Sequence, residues 1–463
     1  MPTERAGLKQ KVPHSRIEIT LSRERRRNLN LRGTKMHCTQ NEKIAQVSNE
    51  SIVVGIDISS EKHCARAFTS RGIELTRKAF TFANTGEGFE EFERWLKDQM
   101  DNSRLTKAII GFEPTGHYWF NLADYLDEQN IRYVLVAPQH VKHTKELDDN
   151  TQRKDDWKDP RVIAKLVIDG RYFFAYRPQG KYAELREAFT RRCEIMEQLI
   201  ETKNRLNRWF DINFPEYKTV YRKVDASTGM MILRKAPLPK DIVTLGVDGV
   251  NQIWRNAKQK GTGIKRAQTL VKAAQSSIGA KETSQATRIS LWQLLDVYEI
   301  AEKQLHEIDE LISSILAEMP DAQKMLGIKG VGQFTVAGFL SEVGDIRRFT
   351  DPRQIQKYAG LAIVADNDSG KHEGRTKLSQ RGRKRLRWVL FRAALSLVKS
   401  NPQFYQLHQY FTGRQENPLK KIQSIVAVST KLIRVVFGMI KNDRPYDPEK
   451  MMSDIHRPMK TVA

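Results

Sequence analysis

Ser369 and Gly370 open a stretch in which Lys371, Arg375, Lys377, Arg381, Arg383, Lys384, Arg385 and Arg387 follow closely, with Glu373 the only acid among them. A serine hydroxyl is a poor nucleophile until a neighbour takes its proton or stabilises the charge formed at the atom it attacks. When that atom is the phosphorus of a phosphodiester, dense cations supply the stabilisation and also hold the nucleic-acid backbone. The alternative is a solvated loop leading into a basic helix, so the stretch needs a partner elsewhere in the chain. Ser379 is the rival hydroxyl; it lacks the following glycine and ranks below Ser369.

Four acids supply a candidate partner. SIVVGIDIS and KAIIGFEPTG are short apolar runs that read as buried strands, the first carrying Asp57 and the second Glu113 at its C-terminal end. Open α/β sheets build their sites at that end of their strands. In RKDDWKDPRVIAKLV, Asp156 and Asp159 are three residues apart at a predicted helix start, so both face one side. Four converging carboxylates repel one another. A divalent cation resolves the repulsion: Mg²⁺, or Mn²⁺ in its place, takes oxygen ligands, and two such ions clamp a phosphate during displacement. Each acid alone also reads as a strand-end or N-cap carboxylate; jointly, in so basic a chain, the metal reading overtakes that one. Lys154, Lys158, Lys329 and the cations after Ser369 are the candidate nucleic-acid contacts.

These residues need a scaffold. The 463 residues suggest two or three domains, and 40% hydrophobic content is enough for real cores. A formal net charge of +23 makes a polyanion the leading partner. No apolar run is expected to reach the roughly 18 residues of a spanning helix. Cys38, Cys64 and Cys193 have no paired spacing, which argues against zinc or a disulfide scaffold and fits a reducing cytoplasm. Residues 1–48 read as a disordered basic arm, with Met36 an alternative start. Residues 49–180 alternate strands and helices after an initial meander, which predicts an α/β domain with a mixed sheet. Residues 181–320 read as helical, with a candidate coiled coil or helical hairpin for self-association over 284–318. In 321–445, Gly327 to Gly332 form a helix-hairpin-helix pattern, whose glycine turn frees backbone N–H groups for phosphates. Residues 446–463 are a frayed tail.

With GIDIS, GFEPTGHYW, KDDWKDPRVIAKLV, LGIKGVG and NDSGKHEGRTKLSQRGRKRLR in that order, the chain resembles the DEDD transposases of the insertion-sequence family one-ten, recombinases guided by a bridge RNA. The resemblance runs from about Ser51 to Lys441. It implies a RuvC-like (RNase H-like) domain, a helical middle used in dimerisation and a C-terminal transposase domain carrying the serine. It further implies a metal tetrad of Asp57, Glu113, Asp156 and Asp159, with Ser369 as the nucleophile that forms a covalent phosphoserine intermediate. Donor and target DNA, a structured guide RNA and further copies of the chain, as dimer or tetramer, are the implied partners, in the cytoplasm at the nucleoid. The family usually shows a single acid followed three residues on by Asp-Ala, whereas this chain has Asp155-Asp156 and then Asp159-Pro160. Asp156 keeps the spacing and Asp155 is its alternative; Asp366 and Asp368, just before the serine, read as participants or as local caps. Two other functions are weighed beside this one: a structure-specific nuclease that uses metal-activated water, and a non-catalytic nucleic-acid binder.

Overall fold

A computed structural model describes residues 39–148, 158–281, 284–365 and 376–453. The chain falls into two compact units, one ending at Tyr176 and the other starting at Arg177. Asp155, Asp156, Lys154, Asp366, Asp368, Ser369, Lys371 and Arg375 lie outside the described residues, as do the tail from 454 and the arm through 38. Within the expected arm, however, order begins early. Helix α1 (Gln40–Ala45) starts at a capping box between Thr39 and Glu42, and the Gln40 amide donates to the Asp169 carbonyl at 2.9 Å.

The first unit is built on a six-stranded sheet of order β3-β2-β1-β4-β5-β6. Strand β1 (Ser51–Asp57) pairs antiparallel with β2 (Lys62–Thr69), which pairs antiparallel with β3 (Phe80–Ala83). On its other side β1 runs parallel to β4 (Lys107–Phe112), and β4 parallel to β5 (Tyr133–Val136). A short antiparallel β6 (Tyr172–Phe173) closes the edge. A meander feeding parallel strands is consistent with an RNase H-like fold. The run IELTRKAFTF is only partly strand: Glu74 bridges to Phe68, and regular pairing resumes at Phe80.

Because both faces are covered, β1 and β4 are apolar at nearly every position instead of alternating. Ile52, Val54, Ile56, Ile110 and Phe112 pack on α2 (Gly86–Ser103) and α3 (Trp119–Glu128). Val53, Ile109, Val134 and Val136 pack on the opposite side, against Val141 of α4 (Pro138–Asp148) and Val162, Ile163, Leu166 and Val167 of α5 (Lys158–Ile168).

The second unit is helical apart from one ribbon. Helices α6 (Lys181–Asn213) and α11 (Gln285–Ala317) pack along each other, and Arg192 Nε donates to Asp309 Oδ1 at 2.6 Å between them. The candidate coiled-coil stretch is thus one helix that buries Leu291, Leu295 and Tyr298 in its own chain. Between the pair come α7 (Tyr217–Val220), α8 (Ser227–Lys235), α9 (Pro239–Asn256) and α10 (Ile264–Gln275), around Phe210, Tyr217 and Trp254. Then α12 (Pro320–Leu326) and α13 (Gln333–Val343) flank the glycine turn, where Gly330 has φ 95° and its carbonyl accepts from Ser396 Oγ at 2.9 Å. Helix α14 (Pro352–Tyr358) leads into the ribbon β7 (Ile363–Ala365) and β8 (Thr376–Leu378), followed by α15 (Lys384–Ser400), α16 (Pro402–Gly413), α17 (Lys421–Lys441) and α18 (Pro448–Ser453). By length and composition α17 could span a membrane, with a mean hydropathy of 1.4, which corrects the sequence expectation. Its buried face, Val428, Leu432, Ile433 and Val436, belongs to the unit's core.

Candidate active site

Three of the four candidate acids are described, and the sheet register sets two of them on neighbouring strand ends. Ile56 pairs with Phe112 on the parallel neighbours β1 and β4, so Asp57 and Glu113 are the next residue of each strand. Parallel strands lie about 4.8 Å apart and side chains alternate faces, so these two acids leave the sheet side by side on the face that carries Gly55 and Gly111, themselves a pair. That is the face against which α5 packs.

The two glycines set how close α5 comes. A Cβ on Gly55 would lie 1.9 Å from the Pro160 carbonyl oxygen and 2.8 Å from the Ala164 nitrogen, and one on Gly111 would lie 2.4 Å from a methyl of Val167. The helix therefore rests backbone on backbone against β1, with Asp159 in its first turn, where the helix dipole favours an anion. Seating Pro160 on Gly55 brings Asp159 to the strand ends that carry Asp57 and Glu113.

Glu113 feels the charges of both Lys145 and Asp159. Burial pushes the Glu113 carboxyl above the usual carboxylate range; the Lys145 ammonium opposes this and the Asp159 charge adds to it. Lys145, from α4, is ion-paired with Asp159. The donor chemistry suits a hard divalent cation, since carboxylate oxygens are its preferred ligands and the two acids share a single lysine as counter-charge. The arrangement is less complete: among the described residues no three His, Cys, Asp or Glu side chains gather as a metal-ligand group. Asp57 is half-buried at the end of β1.

In the second unit β7 and β8 pair from Ile363–Leu378 to Ala365–Thr376, and residues 366–375, which include Ser369, connect them. The ribbon's base is cinched. Ser379 N donates to the Ala362 carbonyl at 2.8 Å, and Arg383 N to the Tyr358 carbonyl at 2.8 Å. Gly382 crosses the backbone of 358–360 so closely that a Cβ there would lie 2.4 Å from the Gly360 nitrogen. Arg387 Nη1 donates to the carbonyls of Ala359, at 2.9 Å, and Gln380, at 3.1 Å.

The cations of this stretch divide into two sets. Lys377, Arg381 and Lys384 are exposed, as is Lys329 at the glycine turn, whereas Lys158 of the first unit is half-exposed. Arg383 and Arg385 turn to Glu342 of α13, which is only 5% exposed, at 3.0 and 3.8 Å, and Arg385 also donates to Thr190 Oγ1 at 2.8 Å. Arg383 further lies over the Tyr358 ring. Removing Glu342 leaves these guanidinium groups without their counter-ion. Glu342→Ala is expected to lower stability in chemical denaturation by about 2 kcal/mol, less than a fully buried pair because both arginines keep some solvent.

Both regions fall inside family matches. A DEDD-type transposase family model, described as "Transposase", matches residues 54–215. A second, "Transposase IS116/IS110/IS902 family", matches residues 322–409, and together they take in more than half of the chain. The chain belongs to this transposase family. Relatives of the IS110-type transposase include the insertion element IS116 uncharacterized 44.8 kDa protein of Streptomyces clavuligerus, 22% identical over 86% of this chain and 97% of the relative. The pilin gene-inverting protein of Moraxella bovis is 29% identical over 85% of this chain and 97% of its own length. The mini-circle putative transposase for IS117 of Streptomyces coelicolor is 23% identical over 70% and 78%.

Sequence reasoning about the transposase missed Gly55 and Gly111, Lys145 and Glu342. The glycines had a signal: Gly55-Ile56-Asp57 and Gly111-Phe112-Glu113 repeat one pattern, a glycine two residues before an acid on the same strand face. Lys145 and Glu342 had none, because their partners are distant in the chain.

Proposed function

We propose that this transposase cuts and rejoins DNA strands through a covalent phosphoserine at Ser369, with metal help at Asp57, Glu113, Asp156 and Asp159. The carrying observation is the seating of α5 on Gly55 and Gly111, which puts Asp159 beside Glu113 at the C-terminal ends of β1 and β4. In the step, the Ser369 Oγ–phosphorus bond forms as the phosphorus–O3′ bond breaks. The hydroxyl loses its proton and the freed 3′-oxygen takes one up. The phosphodiester energy stays in the serine link, so a different strand end rejoins without ATP. A divalent cation held by these carboxylates would supply charge stabilisation at the phosphate. Arg381, Lys384, Lys377 and Lys329, with Lys154, Lys158, Lys371 and Arg375, grip the backbone, and Arg383 and Arg385 combine that role with holding the ribbon's base. The glycine turn before α13 works as a helix-hairpin-helix phosphate contact.

Guidance by a bridge RNA is part of the proposal and is supported by the resemblance to the insertion-sequence family one-ten; the protein would then read backbone and shape while base pairing reads sequence. Assembly as a dimer or tetramer is supported by α11, which leaves Ile289, Ile300 and Leu311 at 43, 56 and 41% exposure on the side away from its packed face. The acids belong to one compact unit and the serine to the other, so activity depends on bringing the two together within a copy or between copies.

The test of the acidic site is Asp57→Asn. Metal-dependent strand cleavage should fall on the order of 10³-fold, several kcal/mol of transition-state stabilisation, while DNA binding by gel shift persists. Unchanged cleavage would remove Asp57 from the mechanism. A water-using nuclease is told apart by its products, free 5′-phosphates with no protein attached.

A further inference from the structure

The acidic site holds a positive charge of its own. Lys145 comes from the last turn of α4 and contacts Asp159 directly, its side chain 36% and that of Asp159 24% exposed. The two partners differ in freedom. Asp159 sits in the first turn of a helix whose next residue, Pro160, is pressed against the backbone of Gly55. Lys145 carries its charge at the end of four methylenes, with a compact ammonium that re-aims easily. Between a seated acid and a jointed cation, the cation is the one that moves.

We propose that Lys145 is the resident counter-ion of the acidic site, and that a divalent cation binds there only when the ammonium leaves Asp159. The inference depends on the metal reading given above. It accounts for the pairing of Asp159 with a lysine at the site where the metal reading calls for a divalent cation. An ammonium on one carboxylate both occupies its oxygens and lowers the negative potential that would attract a second cation. Metal loading is then a competition between two cations for Asp159, and the lysine sets the threshold concentration. Because the pair is partly exposed, its loss costs the fold little.

The experiment is a calorimetric titration of Mn²⁺ into the full-length, metal-free transposase without nucleic acid. Lys145→Met should bind Mn²⁺ about tenfold more tightly than the natural sequence, while Lys145→Arg, which keeps the charge, should bind as weakly as the lysine. Glu113→Gln should remove the binding event in either background and so locates it. Equal or weaker affinity in a folded Lys145→Met protein overturns the inference and leaves the metal site standing. Binding that survives Glu113→Gln, or no binding by any variant, overturns the metal reading and this inference with it. Circular dichroism of each variant guards against misfolding.

Discussion

Ser369→Ala is expected to abolish the covalent protein–DNA adduct and to leave DNA binding within a few-fold of the natural protein. The substitution takes away one oxygen and no charge. The exposed cations proposed to hold phosphates, Arg381, Lys384 and Lys377 among them, are untouched, and affinity for a polyanion follows such charges. Strand rejoining should fall by on the order of 10⁴-fold or more, since removing a nucleophile that acts as part of a unit eliminates nearly the whole catalysed path. The readout is a labelled DNA strand that migrates with the denatured protein. An adduct that persists in Ser369→Ala and disappears in Ser379→Ala would move the nucleophile to Ser379. Persistence in both would leave the phosphoserine mechanism without its serine.

Gly55→Val separates α5 from the sheet. The first atom of any side chain at this position would fall 1.9 Å from the Pro160 carbonyl oxygen and 2.8 Å from the Ala164 nitrogen. Both are backbone atoms of a helix, so neither yields by changing rotamer. Overpacking of this kind costs about 3 kcal/mol or more. The neighbouring Gly111 faces a methyl of Val167, a side chain, and Gly111→Ala should be milder. Cleavage should suffer beyond the loss of stability, because displacing Asp159 by about 1 Å from the strand-end acids is worth roughly 10²-fold. Thermal melting and cleavage measured on the same preparations check this. Natural melting with natural activity would show that α5 does not depend on the Gly55 seat.

Much of this was legible beforehand because it is local. A β-branched apolar run that ends in an acid is a buried strand with a carboxylate at its tip wherever it lies, and Asp57 and Glu113 were read that way. The 33-residue helix Lys181–Asn213 is announced by its apolar spacing and begins where the sequence analysis started its helical region. The destination of a charge across the fold is not local. Arg383 and Arg385 look like any other cations of the basic stretch until Glu342, 41 residues upstream of Arg383, is found buried beneath them. Lys145 is one lysine among many until α4 and α5 pack together. The partners of a long side chain are decided by which helices meet, and apolar periodicity does not encode that. For the same reason the apolar row of Lys421–Lys441 did not show in advance whether it would face a core.

A helix whose backbone lodges directly on one bare strand position has a consequence for how such a sequence can diverge. Where side chains fill the gap between layers, each exchange of valine for isoleucine or leucine shifts the layers by fractions of an ångström. Here the offset between Pro160 and Gly55 is set by main-chain atoms, which every sequence shares. The surrounding apolar residues, Val53, Ile109, Val134 and Ile163, are then at liberty to drift while the carboxylates keep their mutual spacing. The spacing of the helix from the strand is in this way held by a ruler made of peptide bonds.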